Sequence, residues 1–236
     1  MEFYALFAIF LVVAGVVAYF RYKKEQARTA QLLQWASANK WQFAVEDDAW
    51  AGRWNGPPFD EGDHRKVRNV ISGGWKSWPF VSFDYSYQTH SSDGRGGRST
   101  TTHRFTVVTV ALPTDLPRLQ VTPESVFSRV GHVFGMSDID LESEDFNRAF
   151  RVTCSDPKFA SDALTPRTMQ LLLSRSHFSW RIEVTDLVCW WSGEQTAVAV
   201  TEALATMCDV IAGIPSFVWH DHGYDAGSAS IGGGSS

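Results

Sequence analysis

The pattern of apolar and polar positions divides the chain into one unbroken apolar run, a short helical connector and a long mixed segment. Residues 3–20 read FYALFAIFLVVAGVVAYF, eighteen residues without a charge. At about 1.5 Å of rise per residue that helix measures roughly 27 Å, close to the thickness of a bilayer core. A transmembrane helix is therefore expected. Glu2 stands before the run, and Arg21, Lys23, Lys24 and Arg28 follow it. Because cationic flanks stay cytoplasmic, the asymmetry places the N-terminus outside and everything after Arg21 in the cytoplasm. A cleaved signal peptide would carry its basic residues ahead of the apolar run, so cleavage is not expected. Tyr4, Tyr19 and Tyr22 suit the two interfacial aromatic belts.

Residues 25–40 lack Gly and Pro and place Ala27, Ala30, Leu33 and Ala36 at helical spacing, which predicts a helical stalk stopping near Asn39. Trp41, Phe43 and Val45 alternate as in a strand, and the Gly and Pro residues of 50–58 require a loop. A strand over 66–71 should turn at Gly73-Gly74. In 80–88, Val81, Phe83, Tyr85 and Tyr87 share one face and Ser82, Asp84, Ser86 and Gln88 the other, which reads as a strand wet on one side. The run HSSDGRGGRS over 90–99 is a flexible connector to a strand at 102–112.

Further on, Thr122-Pro123-Glu124 has the form of a helix start, with the helix continuing through Val126, Phe127 and Val130 to Gly131 or Gly135. Residues 146–153 read as strand. Asp156-Pro157 and Thr165-Pro166 open two more helices. Residues 178–184 and 187–191 read as a second hairpin turning at Thr185-Asp186. A helix over 194–212 carries Ala197, Thr201, Leu204, Cys208 and Ile211 on one stripe, and the tail from Gly223 is expected to be disordered. Strands joined by loops predict an α+β fold with a mainly antiparallel sheet and packed helices. The expected organisation is an anchor with its basic flank (1–24), a helical stalk (25–40), one cytoplasmic α+β domain (41–222) and a tail (223–236).

Composition narrows the function classes. The 236 residues suffice for one span and one domain, and an aromatic content of 14% supplies a core. A net charge of -5 offers no general attraction to nucleic acid. Residues 1–28 hold four basic and two acidic groups, which leaves the remainder at -7. Cys154, Cys189 and Cys208 have no CxxC spacing and read as buried thiols in a reducing compartment.

No motif commits a catalytic residue, a metal ligand or a cofactor. Gly94-Arg95-Gly96-Gly97 precedes a strand rather than a helix, so it lacks the context of a phosphate loop. His220-Asp221-His222 would need a third fixed ligand to hold zinc or copper. Asp138, Asp140, Glu142, Glu144 and Asp145 alternate with Ile139 and Leu141 and read as a solvated strand face rather than a calcium loop. Ser155-Asp156 has no nucleophile-elbow context. Six tryptophans, Trp35, Trp41, Trp50, Trp54, Trp75 and Trp78, lie in the membrane-proximal part of the chain. Core packing is their commoner use, and Trp50, Trp54, Trp75 and Trp78 are the candidates for a surface that docks on the bilayer or on a membrane-protein partner.

FNRAFRV over 146–152, Asp156, Ala160 and LTPRTM over 164–169, with Gly73-Gly74 and IPSFVW over 214–219, resemble hypothetical bacterial membrane-anchored proteins that carry a domain of unknown function. The resemblance, of high-GC Gram-positive type, implies an anchored cytoplasmic domain at the cell membrane and transfers no substrate, cofactor or active-site residue. The function expected is a non-enzymatic interaction or accessory module in a membrane complex, with the bilayer and membrane proteins as partners. The alternatives are a membrane-tethered hydrolase using His90 or His103 with acidic neighbours, and a small-ligand sensor.

Overall fold

Seven runs rich in β-branched and aromatic residues pair into one sheet in the computed structural model, which describes residues 2–92, 97–127, 137–175 and 177–225. The strands are β1 (Gln42–Glu46), β2 (Asp63–Trp75), β3 (Trp78–Ser92), β4 (Arg98–Pro123), β5 (Ser137–Asp138), β6 (Phe150–Cys154) and β7 (Ser179–Ser192). The order is β1-β2-β3-β4-β6-β5, with β7 also paired to β4, and every pairing is antiparallel. β4 organises the sheet: its first half lies between β3 and β7, and its second half between β6 and β7. The helices are α1 (Glu2–Ala38), α2 (Glu124–Phe127), α3 (Glu144–Ala149), α4 (Pro157–Ala163), α5 (Pro166–Arg175), α6 (Ala197–Gly213) and α7 (Ser216–Asp221). The α+β class and the mainly antiparallel sheet are as expected.

Each face of the sheet has its own core. On one, Leu32 and Ala36 of α1, Phe146 of α3, Phe159 of α4, Leu172 of α5 and Leu204 of α6 meet Phe80, Val108, Leu119 and Ile182. On the other, residues 47–62 fold back so that Trp54 and Phe59 bury against Val67, Phe83, Tyr85, Val107 and Trp190. Arg181, fully buried, has its guanidinium 5.5 Å from the ring of Phe59 and 5.3 Å from that of Trp190. Its Nε lies 2.9 Å from Glu183 Oε2 without an aligned hydrogen bond, and its Nη1 donates to Gln120 Oε1 at 3.3 Å. Burial pushes this guanidinium down to about 10, so it stays charged at neutral pH. The three cysteines are free and buried, as read from the sequence.

The departures from the expected elements have local causes. The β2–β3 hairpin turns at Lys76-Ser77, not at Gly73-Gly74: both turn residues have positive φ, 47° and 73°, between paired Trp75 and Trp78. Gly73 serves packing instead, since a Cβ there would stand 2.2 Å from Trp41 Cδ1. The Ser82 and Asp84 face of β3 is not wet, because α1 and the residues before α6 cover it. Residues 178–191 do not reverse. β7 is one strand along β4, with Val184 at φ 58° and a register shift opposite residues 111–116, so Thr185-Asp186 accompanies a bend.

Phe146 lies in α3, capped by Ser143 Oγ, and the strand starts only at Phe150. The acids of 138–145 therefore occupy a short strand, a loop and a first helical turn rather than one strand face. Thr122 and Pro123 end β4, paired with Arg151 and Phe150, and α2 begins at Glu124. Its expected continuation through Val130 to Gly131 or Gly135, the connector tip at 93–96 and the tail beyond 225 lie outside the described residues. The other two cap-then-proline starts hold: Asp156 accepts from the amides of Lys158 and Phe159, and Thr165 Oγ1 from that of Thr168.

α1 runs without a break from the apolar segment into the domain. Among the described residues no helix is long and apolar enough to cross a membrane. The stripe that packs is Arg28, Thr29, Leu32, Trp35 and Ala36, whereas Ala27, Ala30 and Leu33 of the expected stripe face outward.

Candidate functional site

Two groups of side chains stand out: a polar junction that joins α1 to the sheet, and an exposed histidine–carboxylate cluster at the opposite end of β3 from Trp78. The junction centres on Asp84 of β3. Its carboxylate accepts from Arg28 Nη1, Asn69 Nδ2 and the Gln195 amide, each at 2.8 Å. Asn69 Oδ1 in turn accepts from Thr29 Oγ1 at 3.0 Å, and Gln195 donates through Nε2 to the Asn69 carbonyl at 2.5 Å. Arg28 also pairs with Glu25 at 2.7 Å and stands 3.5 Å from Glu194. Burial opposes the charge on Arg28, but Glu25 and Asp84 together raise its pKa above the ordinary guanidinium value. The network ties α1, β2, β3 and the entry to α6 into one unit, and side chains in such a network hold one another in place.

This arrangement divides the expected basic flank. Arg21, Lys23 and Lys24 are exposed, with Lys23 Nζ 6.0 Å from the Tyr19 ring. Arg28 faces the domain, its side chain 16% exposed and engaged by three carboxylates. It is a structural residue rather than a lipid contact.

The four candidate surface tryptophans divide as well. Trp54 is buried and its Nε1 donates to Asp186 Oδ2 at 3.1 Å. Trp50 lies partly buried over it, 6.0 Å between centroids, and Arg53 caps both rings while pairing with Asp186 at 2.7 Å. Trp75 and Trp78 pack partly buried against the helix-covered core. Trp75 meets Trp41 at 6.2 Å, and Trp41 meets Trp35 at 5.0 Å. Trp54 is thus a core residue, while Trp75 and Trp78 are buried only in part.

His90 and His103 lie on opposite faces of the β3–β4 ribbon, since His90 pairs with Thr100 and His103 with Tyr87 in a register without a shift. His103 Nε2 is 2.9 Å from Thr89 Oγ1, and the ring stacks on Tyr87 at 4.7 Å. His90 Nε2 stands 3.1 Å from Asp63 Oδ2, and its Nδ1 2.9 Å from Thr100 Oγ1. His64 Nδ1 lies 3.1 Å from Asp63 Oδ1. The hydrogen bond with His64, with smaller help from His90, holds the Asp63 carboxyl below the usual range. Alternation in 80–88 could not reveal this cluster, because His64 reaches it through a bulge between Asp63 and Lys66.

His220 and Asp221 end α7. His222 Nδ1 is 2.8 Å from the Val218 carbonyl, and its ring packs on Phe159. Asp138 pairs with Arg151. Ser155 bonds back to Arg118, and Asp156 is spent as a helix cap.

Behind the cluster, Tyr85 donates to the Phe59 carbonyl at 2.9 Å, and burial pushes its phenol up to about 12 from 10.0. The unfolded chain loses this proton first. The stability tied to Tyr85 is therefore complete below about pH 10 and is lost as the pH rises toward 12. Alkaline unfolding followed by circular dichroism should parallel the 295 nm phenolate signal, and Tyr85→Phe should flatten the loss over that window.

No family model matches the chain, and no curated protein matches it in sequence. Among solved structures, the crystal structure of the mycobacterial trehalose monomycolate transport factor A, TtfA, aligns with a TM-score of 0.59 at 11% identity, covering 79% of this chain and 96% of that one. At that identity the likeness is one of fold.

Proposed function

We propose that this protein is an accessory module tethered to the cell membrane by α1, its N-terminus outside and its α+β domain in the cytoplasm, where the domain serves a larger membrane complex without catalysing a reaction itself. One observation carries the reading. From Ile9 to Val13 and again at Val16, Val17, Tyr19 and Phe20, apolar side chains are exposed all round α1, while the same helix is locked into the domain at Arg28. A helix greasy on every side is stable only when buried in lipid or protein. Residues 3–8, which precede this run in α1, are equally apolar in sequence. Arg21, Lys23 and Lys24 then set the orientation. A fold shared with a protein named for trehalose monomycolate transport supports an accessory role in a membrane process.

Because the junction holds α1 in place, the domain sits at a fixed angle to its anchor, which suits a part that positions another membrane protein. Purification of the full chain in mild detergent should bring down an integral membrane protein at constant stoichiometry. A solitary chain under those conditions, or turnover in a hydrolase screen lost on His90→Ala or His103→Ala, would overturn the reading.

A further inference from the structure

We propose that Asp63, His64 and His90 form a binding site for a divalent transition cation of the zinc class. Among the described residues they are the one group of three His, Cys, Asp or Glu side chains whose ligand atoms all lie within 4.8 Å of one another. Two of the separations are already 3.1 Å, from His64 Nδ1 and from His90 Nε2 to the two oxygens of Asp63. Ligands at about 2.0–2.2 Å around a tetrahedral zinc stand roughly 3.3 Å apart. Only the two imidazoles must approach each other, and both rings are exposed.

The surroundings select the donor atoms. When His90 Nδ1–H donates to Thr100 Oγ1, 2.9 Å away, the lone pair is fixed on Nε2, the nitrogen that faces Asp63. A hydrogen bond from the far ring nitrogen is the usual support of a metal-bound histidine. His64 owes its place to the bulge, where it holds φ 48°, a left-handed backbone uncommon for a residue with a side chain. In regular alternation, neighbours in sequence point to opposite faces, so without the bulge His64 would turn away from Asp63. Two imidazoles and one carboxylate suit zinc and related cations, and solvent or a partner's side chain completes the shell. The site would staple the start of β2 to the end of the β3–β4 ribbon, and it does not depend on the membrane reading.

The test is calorimetric titration of Zn2+ into the full chain in detergent, without a histidine tag. One saturable equivalent is expected. Asp63→Ala and His90→Ala should each weaken it at least about tenfold, and Thr100→Val by about ten- to a hundredfold through loss of ring orientation. His220→Ala with His222→Ala should leave it unchanged. Asp63, His90 and Thr100 are exposed, and far-UV circular dichroism of their metal-free variants should match the parent. Absence of saturable binding, binding indifferent to Asp63→Ala and His90→Ala, or binding removed by the His220/His222 pair would overturn the proposal.

Discussion

Replacing Arg181 with alanine should cost the fold about 3–5 kcal/mol, since it strips the charge and the stem from a buried position. The guanidinium fills the space between Phe59 and Trp190 and offsets Glu183, whose side chain is 12% exposed. For a domain of this size that loss lowers the melting temperature by roughly 10 °C. Arg181→Met separates the two contributions. Methionine keeps the apolar contact with both rings, and Glu183 retains Arg118 at 3.6 Å and the Asn55 amide at 3.2 Å. That variant should lose clearly less than the alanine, because it restores the packing while Glu183 keeps Arg118 and the Asn55 amide. Equal losses for the two variants, measured by thermal melts, would mean that the charge rather than the packing holds residues 47–62 on the sheet.

Asp84→Ala should act on the other face and differently. It leaves Arg28 Nη1, Asn69 Nδ2 and the Gln195 amide without their shared acceptor, a loss of about 3 kcal/mol for partly buried groups. The stronger effect is local. Amide hydrogen exchange over residues 25–38 should accelerate well beyond that of β3 and β4, because α1 is then held mainly by Leu32, Trp35 and Ala36 and by the Thr29–Asn69 hydrogen bond. Uniform acceleration across the sheet would instead mark Asp84 as a general stabiliser with no special part in docking the helix.

The class of fold was legible in the sequence because it rests on local patterns: β-branched runs, proline-led helix starts and a stripe along α6. What was not legible depends on partners distant in the chain. Arg28 reads as a lipid-facing cation until Asp84, fifty-six residues on, supplies its counter-charge. For the same reason the stripe of α1 reads as Ala27, Ala30, Leu33 and Ala36, of which only Ala36 packs, because the face that docks includes an arginine and a threonine satisfied by the sheet. Gly73-Gly74 looks like a turn because glycine has two uses, and only the approach of Trp41 distinguishes them. Thr185-Asp186 looks like a reversal for a similar reason, whereas Asp186 serves Arg53 and Trp54 at a bend. The histidine cluster was half visible: His90 stood out beside the connector, but Asp63 and His64 join it only through strand pairing and a bulge.

The tether itself is tested most directly by alkaline carbonate extraction of membranes from cells that produce the full chain. The full chain is expected to stay in the membrane pellet, while a chain beginning at Arg21 moves to the supernatant with its sheet intact by circular dichroism. Release of the full chain by carbonate would contradict the tether, because a helix surrounded by hydrocarbon cannot be stripped by pH, whereas one held only at a surface or against another protein can.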